Sequence, residues 1–241
     1  MKSNLKLDPD KIVVTVELLE KRIAERFPDS GLGKIAKELL AVARDTKTNI
    51  AWISKPNILL RSVSYLVILM GVVTLIYTFT LIDLRLENNT LSSVVQTIEA
   101  VFNDIVLLGA AIFFLTTIET RVKRQRAIKL LNELRVIAHV IDMHQLTKDP
   151  SMMRKGVTST VSSPKRMFTK FELQRYLDYC SEAIALLSKV AVLYSQSLSD
   201  EIVVKSVTEI EVLSTGLSRK VWQKLIILND IEEDEMNLAV D

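Results

Sequence analysis

The sequence predicts an all-α protein: an integral membrane two-helix hairpin with a cytoplasmic helical bundle formed by N- and C-terminal helices. Residues 62–82 contain no charged side chain, and residues 98–118 form a second apolar run. Each run has about the 20 residues that a helix needs to cross a bilayer. The chain is nevertheless 25% charged, so the charges belong mainly to other segments. Only 6 Gly and 5 Pro in 241 residues favour long helices.

Residues 1–57 are expected to form two cytoplasmic helices. Asp8 precedes Pro9, a combination typical of a helix start. The apolar residues that follow recur every three or four positions and predict one buried stripe. They are Ile12, Val16, Leu19, Ile23 and Phe27. A break at residues 28–31 separates this helix from a second one, predicted from Leu32 to about Trp52.

Residues 58–120 are predicted to form the transmembrane hairpin. Basic residues lie on both outer flanks of the two runs, whereas the connecting residues 83–97 contain only Arg85. Positive charges near a span favour the cytoplasmic side. The expected location is therefore a plasma membrane of the bacterial inner-membrane type, with several passes and both termini in the cytoplasm. Residues 1–10 lack the apolar core of a signal peptide, so the hairpin is expected to direct insertion.

The remaining segments are predicted to be cytoplasmic. Residues 121–150 have the periodicity of a coiled-coil or bundle helix that continues from the second span. Residues 151–168, rich in Ser, Thr and Lys, predict a flexible linker. Residues 169–229 predict an antiparallel helical hairpin, because Thr169 and Glu172 form a capping-box pattern and two apolar stripes follow it. The acidic tail, residues 230–241, is expected to fray.

Three polar residues in the second apolar run are candidate pore-lining residues: Glu99, Asn103 and Asp104. A carboxylate within a span is costly unless it faces water, a partner or the headgroups. One interpretation is an ion site in a pore made by several hairpins. The alternative is that the span begins near Ile105, with Asp104 at the outer interface or capping the helix. That alternative leaves a short span, since residues 105–118 number only about 14 against the roughly 20 required.

A second candidate is the polar cluster of Arg135, His139 and Asp142. Three residues apart on a helix, His139 and Asp142 share a face, but they lack the spacing of a helical zinc site. An enzyme using this pair ranks below a simple polar helix face. The basic residues Arg121, Lys123, Arg124 and Arg126 are candidate contacts for anionic lipid headgroups, and they also set topology.

Composition and motifs exclude several functional classes. The net charge of +2 argues against a nucleic-acid-binding protein, and the single cysteine, Cys180, forms no intrachain disulfide. Residues 31–34 (Gly-Leu-Gly-Lys) lack the spacing of a phosphate-binding loop. No catalytic motif, metal site or cofactor is predicted.

The leading interpretation is therefore a non-enzymatic membrane structural or interaction protein that presents its bundle to an unknown cytoplasmic protein. The alternative is an oligomeric ion channel or membrane effector whose hairpins line a pore with Asn103 and Asp104. Expected partners are membrane lipids and further copies of the chain.

Overall fold

A computed structural model of the chain is all-helical. It describes most of the sequence, namely residues 6–56, 58–85, 91–154, 160–163 and 168–237. Six α-helices and no strands occur in these residues. The helices are α1 (Pro9–Arg26), α2 (Gly31–Ser54), α3 (Ile58–Arg85), α4 (Leu91–Leu146), α5 (Lys170–Ser197) and α6 (Glu201–Asn237). The all-α prediction is confirmed.

The chain divides into two compact units. One unit, the helical bundle, comprises residues 1–54 and 126–241. The other, the apolar helix pair, comprises residues 55–125. Helix α4 belongs to both, because its first part lies in the helix pair and its last part, from Arg126 onward, lies in the bundle.

The bundle is built around α5, which packs against α1, α2 and α6. The predicted stripe of α1 is buried along its whole length. In α5 the stripe from Leu173 to Tyr194 is also buried. At the centre of the core, Tyr194 is fully buried and its hydroxyl lies 3.2 Å from the Thr46 hydroxyl. That contact supplies a hydrogen-bond partner for a buried phenol, which would otherwise be costly to bury.

The helix ends follow the local sequence. Asp8 accepts a hydrogen bond from the Asp10 amide, and Pro9 occupies the first turn of α1. At the start of α5, the Thr169 hydroxyl accepts from the Glu172 amide while the Glu172 carboxylate accepts from the Thr169 amide. The predicted capping box is therefore present.

Two predicted segments, the linker and the tail, are described in part. The predicted linker begins within a 3-10 helix, Pro150–Met153, because Asp149 caps it and Pro150 presets its first turn. Helix α6 continues beyond Asp230 to Asn237, and Ile231 is buried, so the described part of the predicted tail is helical. Its fraying stays a prediction. Other parts of the linker, the loop and the tail lie outside the described residues.

In the apolar helix pair, α3 and α4 contact one another in antiparallel register. Arg61 lies 3.9 Å from Glu119, and Gly71 lies against Leu108. A Cβ added at Gly71 would lie 2.6 Å from Leu108 Cδ1, so the missing side chain permits this close approach. Small residues serve this purpose in membrane helix pairs.

Only one helix in the described residues, the 56-residue α4, is long and apolar enough to cross a membrane. None of its apolar window is buried. In α3, the apolar stretch Arg61–Tyr77 is shorter. The transmembrane hairpin therefore remains a prediction.

Truncation of the bundle core provides a test of the fold. Leu187 is fully buried in α5, so Leu187→Ala should lower the free energy of unfolding by about 2–5 kcal/mol through lost burial and a residual cavity. The neighbouring Ser188 is only partly buried, and Ser188→Ala should change it by less than about 0.5 kcal/mol. Thermal and chemical unfolding of the purified chain would measure both. Equal losses for the two variants would contradict the assigned core.

Candidate functional site

The predicted pore-lining residues lie on different faces of α4. Glu99 and Asn103 are exposed, whereas Asp104 is partly buried. Asp104 lines a cavity of about 300 Å³ between α3 and α4. The remaining lining residues are Val67, Met70, Gly71, Thr74, Leu107, Leu108 and Ala111. Apart from Thr74, these neighbours offer the carboxylate an apolar environment.

Asp104 is not a helix cap. Helix α4 begins at Leu91, which places Asp104 about 20 Å along the helix at a rise of roughly 1.5 Å per residue. The expectation that Asp104 caps the helix near Ile105 is therefore wrong.

The residues of the predicted polar cluster make contacts with α6 instead of forming a joint site. Arg135 donates to Glu209 at 2.7 Å, and Asp142 accepts from Lys220 at 3.3 Å. His139 is exposed on α4. Among the described residues, no group of three His, Cys, Asp or Glu side chains is arranged to hold a metal ion. The cluster is best described as part of the polar seam between α4 and α6.

The four predicted headgroup contacts also differ among themselves. Lys123 pairs with Glu119 at 2.8 Å. In the bundle, the Arg126 guanidinium lies over the Trp52 ring, 4.1 Å from its centroid. Arg121 and Arg124 share a shallow cavity of about 250 Å³ with Thr117 and Thr120. Of the four, Arg121 and Arg124 are thus the pair placed together around one open site.

A further cavity near charged groups was not predicted from the sequence. It lies in the bundle, has a volume of about 450 Å³, and is formed where the end of α1, the start of α2, the end of α4 and the start of α5 meet. Its residues are Arg26, Phe27, Pro28, Asp29, Ser30, Gly31, His144, Thr147, Lys148, Phe168, Glu172 and Tyr176. We call it the end cavity.

Aromatic rings form one wall of the end cavity. Phe27 lies edge-on to Phe168 and to Tyr176, with centroid distances of 5.4 Å in both pairs. The Lys148 ammonium lies over this wall, 4.6 Å from the Phe168 centroid and 5.5 Å from that of Tyr176. Burial lowers the pKa of Lys148 and raises that of Tyr176, because a charge is poorly solvated here.

The opposite wall is the first turn of α2. Asp29 has a positive φ of 58°, which turns the chain sharply after α1. Ser30 then caps α2, since its hydroxyl accepts from the Gly33 amide at 3.0 Å. The His144 ring rests directly on Gly31, where an added Cβ would lie 2.7 Å from Nδ1. Glycine at this position therefore makes room for the imidazole.

Comparisons with protein-family models, with curated proteins and with solved structures found no match for this chain.

The contact between α3 and α4 can be tested by filling the space at Gly71. Gly71→Ile should push Leu108 away and lower the melting temperature of the detergent-solubilised protein by several degrees, as expected for overpacking. Gly109→Ile is the matched control, because a Cβ at Gly109 has no neighbour within 4 Å. A larger loss for the Gly109 variant would contradict the assigned contact.

Proposed function

We propose that the chain is an integral membrane interaction protein, with the apolar helix pair in the bilayer and the helical bundle presented to a cytoplasmic partner. The observation that carries this proposal is the exposed surface of the helix pair. Large apolar side chains on both helices are open on several sides, among them Ile58 at 78% and Phe113 at 73% exposure. In water such a surface would be strongly unfavourable, since burial of apolar area contributes about 25 cal/mol per Å².

In the hydrocarbon core of a bilayer, exposure of these apolar side chains avoids the free-energy cost that it has in water. Helices satisfy their own backbone hydrogen bonds, which a bilayer core requires. At 28 residues, α3 is about 42 Å long, which exceeds the roughly 30 Å of a hydrocarbon core. The described apolar part of α3 is shorter than this length, but its pairing with α4 at Gly71 supports placing both helices in the same environment.

The basic residues after the second apolar run support contact with anionic lipid. Arg121 and Arg124 surround one shallow cavity together with two threonine residues. Guanidinium groups and hydroxyls are suitable donors to a phosphate. Each basic residue near an anionic surface contributes about 1 kcal/mol.

Reporter fusions can test the membrane topology. Fusions after Lys55 and after Arg135 should report a cytoplasmic location, and an insertion at Asn89 should report an external one, because basic residues flank only the outer ends of the helix pair. A cytoplasmic signal at Asn89, or full release of the chain from membranes by alkaline washing, would contradict the proposal.

A second candidate function is an oligomeric ion-conducting assembly, and Asp104 is the observation that favours it. This carboxylate lies within the apolar helix pair, in a cavity between α3 and α4. In a lipid environment such a group commonly faces water or a partner. Several copies of the helix pair arranged around a water-filled path would hydrate it.

Ion flux would distinguish the two functions. If the chain conducts, liposomes containing the wild-type protein should show cation flux, and Asp104→Asn should reduce the flux or its cation selectivity by severalfold, because the variant removes a charge from the path. Glu99→Gln is the matched control, since Glu99 is exposed on another face of α4. No wild-type flux, or equal effects of both variants, would contradict conduction through a path lined by Asp104.

A further inference from the structure

We propose that the end cavity of the helical bundle is a binding site for a small soluble organic oxyanion, with its phosphate or carboxylate group at Lys148 and its apolar body against the aromatic wall. This site is separate from the proposed membrane function, because every lining residue belongs to the helical bundle.

Lys148 lines the end cavity and lies against its aromatic wall. Its side chain is partly buried, and its contacts within the described residues are the ring faces of Phe168 and Tyr176. Such contacts stabilise a cation but provide no acceptor for its three N–H donors. An oxyanion in the cavity would supply acceptors, and the partly desolvated position would strengthen the pairing.

Two acidic side chains, Glu172 and Asp29, also line the end cavity. Glu172 is already engaged, because its carboxylate accepts from the amide of Thr169 at 2.7 Å and from its hydroxyl at 2.9 Å. These hydrogen bonds from Thr169, and to a smaller extent the nearby Arg26 charge, hold the pKa of the Glu172 carboxyl below its usual value. The remaining acid in the lining, Asp29, has an exposed side chain. Neither of these two described acids forms an ion pair with the Lys148 ammonium.

The start of α2 forms another wall of the end cavity. Gly31 is the first residue of this 24-residue helix and lines the cavity. The first amides of a helix have no acceptor within the helix, and its N-terminus favours negative charge. The His144 ring beside Gly31 offers a further nitrogen donor. The helix start adds to the pairing with Lys148 and would not define a site alone.

The end cavity has the size and lining of a site for a small organic molecule. A volume of about 450 Å³ lies in the range of small-molecule sites, roughly 300–1,000 Å³. Three aromatic side chains, Phe27, Phe168 and Tyr176, line the cavity and pack against one another. A small aromatic or aliphatic acid or phosphate monoester would match both the ring wall and Lys148.

Calorimetric titration of the full-length protein in lipid nanodiscs would test the site, with phenyl phosphate as the probe. We expect binding with a dissociation constant below about 1 mM, and weaker binding of inorganic phosphate, which has no apolar body. Benzyl alcohol, which has no charge, should bind at least about tenfold more weakly than phenyl phosphate. No phenyl phosphate binding up to about 10 mM, or equal binding of the alcohol, would overturn the proposal.

Variants would place the ligand. Lys148→Met should weaken phenyl phosphate binding about tenfold or more, and Lys189→Met, a matched change at an exposed lysine of α5, should leave it unchanged. Gly31→Ala should also weaken binding, because the added methyl displaces the His144 ring, whereas Gly216→Ala meets open space and should have no effect. Melting curves would verify that each variant folds. Wild-type affinity in both cavity variants would overturn the site.

A last comparison separates a soluble ligand from a lipid headgroup. Nanodiscs of phosphatidylcholine alone and nanodiscs containing phosphatidic acid should give the same phenyl phosphate affinity. Competition by phosphatidic acid would overturn the assignment to a soluble ligand.

Discussion

Burial of α5 is the constraint on which the bundle depends. Thirteen of its residues are buried, on more than one side of the helix, so α5 requires neighbours on several sides at once. Helices α1, α2 and α6 provide them. Each large apolar side chain buried in this way contributes about 1.5–3 kcal/mol, which outweighs the exposed ion pairs on the bundle surface. The same helix fixes the end cavity, because its capping box and first turn place Glu172 and Tyr176 on the cavity wall.

The two units of the chain expose opposite kinds of surface, although α4 contributes to both. In the bundle part of α4, Ala127, Leu134 and Ile141 are buried. The exposed positions there are mixed, with polar residues such as Asn132 and apolar ones such as Val136, which is 61% exposed. In its apolar part, none of the most apolar window is buried. One helix thus changes from a one-sided to an all-round apolar pattern. Such a change is what the proposed bilayer location of the helix pair predicts.

The features predicted correctly from the sequence depend on residues that are close together along the chain. The buried stripes of α1 and α5, the cap at Asp8 and the capping box at Thr169 all depend on residues a few positions apart, and the structure confirms them. The end cavity could not be predicted in this way, because its residues come from four helix ends that are distant in sequence. The available signal was indirect: the predicted break at residues 28–31 and the predicted end of the helix at residue 150 mark helix ends. Nothing in those patterns states that the two ends meet.

Two partly buried lysines, Lys148 and Lys224, differ in the groups that their ammonium groups contact. Burial lowers the pKa of both Lys148 and Lys224, and both lie near the buried Cys180 thiol. Burial raises the pKa of Cys180 to about 12, so the thiol stays neutral at physiological pH and compensates neither charge. Lys224 donates to the backbone carbonyl of Gln145, which satisfies it within the fold. The Lys148 ammonium lies over ring faces and has no hydrogen-bond acceptor among the described residues, and Lys148 lines the end cavity. Of the two similar cations, the one that the fold leaves without an acceptor is the one that lines the cavity.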